Sequence, residues 1–169
     1  MPCARMMRAM AAQVDLGAAP PAERVLLLTR LLDAPRPLVF KVWTQPEHIV
    51  RWWGPRGFAL AHCDMDPRPG GKYRFCMRER GEKDHWLHGV YREVTPPEKI
   101  AFTFVWERDD GSLSPETLVT VTLAEEGAKT RLTLHQAVFD SVETRDSHRG
   151  GWSESLDMLA EYLAERPAA

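Results

Sequence analysis

From residue 57 to residue 138, apolar and polar positions alternate in runs of about ten residues, each cut off by turn chemistry at 66–71, 80–82, 95–98, 109–112 and 125–127. Links this short join antiparallel neighbours. The pattern predicts six strands near 57–65, 71–80, 83–94, 99–108, 116–124 and 129–138. Alternation is clearest in the second of these, where Tyr73, Phe75 and Met77 point one way and Lys72, Arg74, Arg78 and Arg80 the other. One face of the sheet is therefore wet and the other covered. An earlier apolar stretch, 23–33, has Arg30 as its one internal charge and reads as a further strand.

Two short helices should follow that strand. Asp33 is placed to cap the first, Pro35 fits its first turn, and Leu38, Val42 and Trp43 share a face. Thr44 or Gln45 caps the second, Pro46 opens it, Ile49 and Trp53 lie four apart, and Gly54 with Pro55 ends it. The cover for the sheet is the last segment. Asp140 followed by Glu143 resembles a capping box, and Trp152, Leu156, Leu159 and Leu163 form a narrow apolar stripe. Continued backwards, the same stripe reaches His148 and Arg145, so this long helix is apolar late and polar early. Gly150 and Gly151 weaken it locally, which fits a close backbone approach, a kink, or space left for something else. If close approach is the reason, Gly151→Leu destabilises.

A chain of 169 residues with 44% hydrophobic and 27% charged residues is expected to fold as one domain, at 21–166, without needing disulfides or metals. Residues 1–20, rich in Ala and Met, read as a flexible extension, with Met6, Met7 and Met10 as alternative starts. They lack the apolar core of a secretory signal. A net charge of −2 provides no global field to draw the chain onto nucleic acid or an anionic membrane, and no apolar run approaches the roughly 20 residues of a membrane span. Cys3, Cys63 and Cys76 are odd in number and lack CxxC spacing, which points to a cytoplasmic location.

Candidate chemistry is sparse. No nucleophile elbow, phosphate loop, HExxH or CxxC pair occurs. His85 and His88 lie an odd number of positions apart, so strand alternation aims them at opposite faces and defeats joint metal binding with Asp84. His62, Cys63 and Asp64 alternate likewise, and no metal or cofactor is expected. The basic row Lys72, Arg74, Arg78 and Arg80 is read as solubility rather than as a nucleic-acid surface. The covered face carries an unusual aromatic load: Tyr73, Phe75, Tyr91, Phe102, Phe104 and Trp106, with Trp53, Phe58 and Trp152 at its edges. His85 and Gln136 fall among them by the same alternation. A large solid core and a ligand cavity both fit this pattern.

The order of elements, together with LLTRLLDAPRPLVFKVWTQPEHIVRWWGP, DPRPGGKYRF at 66–75, GVYREVTPPEKIAFTF at 89–104, and Gly151, Trp152, Leu156 and Leu159 in the last helix, resembles the SRPBCC superfamily. This superfamily is also called START-like, Bet v 1-like or helix-grip. Within it the chain is most similar to the branch named for the activator of Hsp90 ATPase homologue. The resemblance covers about residues 23–164. It implies an α+β helix-grip fold: a curved seven-stranded antiparallel sheet wrapped around a long C-terminal helix, with two short helices after the first strand.

It also implies a cavity between sheet and helix that receives a small apolar or aromatic ligand. Trp53, Phe58, Phe75, Met77, Tyr91, Phe104, Trp106, Trp152 and Leu156 would line that cavity, and His85, Gln136 and His148 would orient polar atoms. The alternatives are a polyketide cyclase-like or hydrolase-like enzyme with His85 as general acid or base, and an Hsp90-type regulator or protein-interaction module. The co-chaperone of this branch needs a separate Hsp90-binding domain, for which residues 1–20 are too short. A homodimer stays open as an assembly.

Overall fold

A computed structural model describes residues 21–81 and 83–165, so the extension expected at 1–20 lies outside the described residues. A short 3-10 turn, Ala22–Arg24, leads into β1 (Leu26–Leu32), α1 (Arg36–Thr44) and α2 (Pro46–Ile49). The meander follows as β2 (Phe58–Met65), β3 (Lys72–Glu79), β4 (Asp84–Thr95), β5 (Lys99–Glu107), β6 (Thr117–Glu126) and β7 (Lys129–Ala137). The chain closes with α3 (Val142–Ala164). The seven strands form one antiparallel sheet in the order β1-β7-β6-β5-β4-β3-β2, so the first strand pairs with the last and both leave through the helices. This is the helix-grip architecture expected.

Two bulges set the curvature. Between Leu60 and His62 in β2, and between Tyr91 and Glu93 in β4, one strand carries an extra residue against its partner. Each bulge also re-phases alternation, so that Cys63 and Met65 return to the covered side that Phe58 and Leu60 occupy. Two glycines meet backbone that any side chain would strike. A Cβ at Gly71 would lie 1.9 Å from the Asp66 carbonyl oxygen, which closes the β2–β3 turn. A Cβ at Gly89 would lie 1.9 Å from the Thr103 oxygen and 2.6 Å from the Tyr73 ring. The tyrosine crosses that bare spot to donate its hydroxyl to Thr103 O at 2.6 Å.

The starts of α1 and α3 differ from the sequence expectation, while α2 opens after Gln45 with Pro46 in its first turn, as expected. Asp33 does not cap α1: Pro35 takes the N-cap position with extended backbone, its carbonyl accepts from Leu38 and Val39 at 3.0 and 3.1 Å, and Pro37 occupies the first turn. Likewise Ser141, not Asp140, caps α3, its hydroxyl accepting from Thr144 N at 3.1 Å. The leucine run of β1 divides between the two faces. Leu26 and Leu32 are buried, whereas Leu27 and Leu31 on the convex face are 54% and 48% exposed.

The core lies between the concave face and the helices. Trp43, Trp52, Trp53 and Trp152 pack as one cluster with ring centres 4.5–6.2 Å apart, joining α1, the α2 exit and α3. Trp152, Leu156, Leu159 and Leu163 are buried along the predicted stripe, and α3 lies over β1. At its end Tyr162 shares a 2.7 Å hydrogen bond with His48 Nδ1, which ties α2 to α3.

Leu156 is fully buried in this grip, so Leu156→Ala should cost about 2–5 kcal/mol in a denaturant titration. Leu27→Thr, on the exposed convex face, should stay within about 0.5 kcal/mol of the parent.

Candidate functional site

The early, polar half of α3 faces the ends of β4, β5 and β7, and there the sheet–helix gap is crossed by hydrogen bonds instead of aliphatic packing. Trp106 Nε1–H on β5 donates to His148 Nε2 at 3.0 Å. With Nε2 accepting, the remaining ring proton sits on Nδ1, which donates to Gln136 Oε1 on β7 at 3.2 Å. The same oxygen accepts Trp152 Nε1–H at 2.9 Å. The Gln136 amide then donates to Thr117 Oγ1 on β6 at 2.8 Å, and that hydroxyl points to the Phe104 carbonyl at 3.5 Å. Every donor in the chain runs in one direction, which fixes the neutral Nδ1–H form of His148.

Burial holds the His148 pKa down to about 4, with Asp140 opposing only slightly. A second proton on the ring would set Nε2–H against the Trp106 N–H.

The Trp106–His148 pair is a beam between sheet and helix, braced by Phe104 and Phe139 with ring centres 5.1–5.2 Å away. A cleft opens on each side of it. The smaller, about 250 Å³, is mostly apolar and is walled by Trp53, Pro55, Phe58, Met77, Phe104, Trp106, Gly151 and Trp152. The larger, about 400 Å³, carries charge at its rim from Lys83, Asp84, Arg108, Asp109 and Asp140. His85, Phe104, Trp106, Ser147 and His148 face both clefts.

Of the residues singled out in the sequence, Trp53, Phe58, Met77, His85, Phe104, Trp106, His148 and Trp152 therefore come together. Phe75 and Tyr91 do not join them. They pack with Trp43, Trp53, Tyr73 and Phe102 around a void of only about 10 Å³, as closed core. Leu156 belongs to the α3 stripe, and Gln136 stands behind the cleft wall with its polar atoms spent on protein partners.

Sequence reading missed Pro55, Ser147 and Thr117. Thr117 shares the alternation of Val119 and Val121, the one signal that could have marked it as inward-facing. Gly151 supplies space: a Cβ there would meet nothing nearer than Pro55 Cγ at 3.7 Å, an ordinary contact, and Gly150 has open space. Close helix–sheet approach is thus not the reason for either glycine.

The remaining candidates lie elsewhere. His88 faces the convex side, where its Nδ1 and Arg74 both contact Glu107, and Arg74 also stacks on Trp86. Arg78 pairs with Asp84, so much of the basic row is neutralised. Burial pushes the Cys63 thiol up to about 11, which keeps it protonated. Among the described residues no group of His, Cys, Asp or Glu is arranged to hold a metal ion, and no helix is long and apolar enough to cross a membrane.

The depressed pKa of His148 makes stability depend on pH. The unfolded chain takes up a proton near 6.5 but the folded chain only near 4, so the His148 contribution is complete above pH 6.5 and lost as pH falls toward 4. The loss should amount to about 3 kcal/mol. Urea titrations between pH 4 and 7 should show this slope in the parent and a flatter one in His148→Gln.

Comparison with known proteins agrees with the fold. Among curated proteins no sequence matches the chain. Among solved structures, the AHSA1 protein of Silicibacter pomeroyi superposes with a TM-score of 0.79 at 26% identity, over 85% of this chain and 99% of that one. A protein from Nitrosomonas europaea gives 0.73 at 25% identity, over 86% and 97%. CalU16 from Micromonospora echinospora gives 0.63 at 25% identity, over 82% and 75%. The family model described as Activator of Hsp90 ATPase homolog 1-like protein matches residues 33–164, spanning α1 to α3, and the chain belongs to that family.

Proposed function

We propose that this chain binds a small apolar or aromatic molecule in the space between its sheet and the early half of α3. The observation that carries the reading is the smaller cleft, about 250 Å³ walled by tryptophan, phenylalanine and methionine in a place where the same helix could have packed solidly. Gly151 supports it, because a helix position that touches nothing closely gives up propensity for space. The adjoining cleft of about 400 Å³ leaves room for a more polar part of the ligand. Carriage in the cytoplasm suits two thiols, Cys63 and Cys76, that are both free.

The enzymatic alternative has one observation in its favour: His85, a side chain suited to proton transfer near neutral pH, lines both clefts. Turnover of a candidate polyketide that His85→Gln abolishes would establish it. Binding without product would leave carriage as the function.

Filling and widening the cleft test the binding reading. Gly151→Leu should abolish binding of an aromatic probe such as naphthalene in equilibrium dialysis, while stability stays level or rises by up to about 1 kcal/mol. Trp106→Ala should lower affinity at least tenfold with the fold retained. Unchanged binding in Gly151→Leu would place the ligand elsewhere.

A further inference from the structure

The two clefts share a border. His85, Phe104, Trp106, Ser147 and His148 line both, whereas Met77 lines only the smaller and Thr117 only the larger. The Trp106–His148 beam at that border is anchored at each end. On the sheet side the Trp106 backbone N–H donates to Ser114 Oγ at 2.8 Å, and its carbonyl accepts from Ser114 N at 2.9 Å. On the helix side His148 Nδ1 is engaged by Gln136 at 3.2 Å, and the indole N–H meets His148 Nε2 at 3.0 Å. Phe104 lies against both rings, with centres 5.1 and 5.2 Å away.

A partition held in this way does not swing freely. Turning the indole aside would strand its own N–H and the His148 nitrogen that accepts it, and would give up the ring contacts with Phe104. A molecule seated in one cleft therefore reaches the other by passing alongside the beam, where His85 and Ser147 also border both spaces. A straight, rigid molecule runs into the indole on that path, whereas a bent one clears it. The two ends of the path differ in chemistry as well: aromatic rings and a thioether wall the smaller cleft, and charged side chains rim the larger.

We infer that the ligand is a bent, two-part molecule, with an aromatic ring in the smaller cleft, its bend at the Trp106–His148 beam, and a second, more polar part in the larger cleft. This rests on the binding reading above and adds to it that the beam determines specificity by shape. It admits a bent ligand and rejects a straight one of the same composition. A ligand whose bend is built in gains further, because it has no torsional freedom to lose on entry.

The cis and trans isomers of stilbene provide the test, since they share their composition and differ in the bend. Each is measured by equilibrium dialysis against the parent, Trp106→Ala and His148→Ala, with naphthalene as a reference small enough for one cleft. The parent should bind the cis isomer about tenfold more tightly than the trans isomer. Removing either half of the beam should bring the two isomers within about threefold of each other. Should both variants fold poorly, methyl NMR of the parent decides: cis-stilbene should shift the Met77 and Thr117 signals together, and naphthalene that of Met77 alone. Equal affinities for the two isomers in the parent, a preference that survives in both variants, or a Thr117 signal unmoved by cis-stilbene would overturn the inference, while binding of naphthalene would leave the binding reading intact. Failure of all three probes to bind would overturn both.

Discussion

The side chain of Gln136 has no contact with solvent, so each of its polar atoms must find a partner inside the protein, and those partners come from β6 and α3. A buried amide left unpaired would cost about 1–3 kcal/mol for each stranded group. Its oxygen therefore holds Trp152 and His148 at fixed positions along α3, and His148 in turn holds Trp106 on β5. The early half of the helix is thereby kept at a distance set by two rings and an amide. Aliphatic side chains would have allowed it to settle directly on the sheet. The clefts on either side of the Trp106–His148 beam follow from that spacing.

Aromatic packing and polar chain divide the molecule between them. Where Trp43 and Trp53 reach the concave face, the space around Phe75, Tyr91 and Phe102 is closed to a void of about 10 Å³. Where α3 turns from its leucine stripe to His148 and Gly151, the packing opens. Stability and cavity thus divide along one helix with Trp152 shared between them: Leu156, Leu159 and Leu163 line neither cleft, and Gly151 touches nothing that holds the grip.

Much of this was legible in the sequence. Alternation located all six strands of the meander within a residue or two and named the covered face, while the stripe from Trp152 to Leu163 identified the gripping helix. What alternation cannot supply is position along the groove. Phe75 and Trp106 both point inward, yet one is closed core and the other a cleft wall, because the tryptophans of α1 and the α2 exit cover only one end. Hydrogen-bond partnerships were equally hidden: Gln136 is satisfied by residues 12 to 19 positions away, on two other elements. The caps of α1 and α3 were misplaced for a local reason, since Pro35 and Ser141 stand within two residues of acidic side chains that looked like better caps, whereas α2 opens after Gln45 with Pro46 in its first turn as expected. The family resemblance carried the cavity expectation, which composition alone left open against a solid core.

The central claim is that a one-way chain of hydrogen bonds from Trp106 through His148 to Gln136 props the helix off the sheet. Long-range ¹H–¹⁵N NMR of the His148 ring tests it most directly. At pH 6 the Nδ1 signal should be that of a protonated nitrogen and the Nε2 signal that of a bare one, with no titration until the pH falls toward 4. A ring protonated on Nε2, or one titrating near 6.5 as a free imidazole does, would contradict the account.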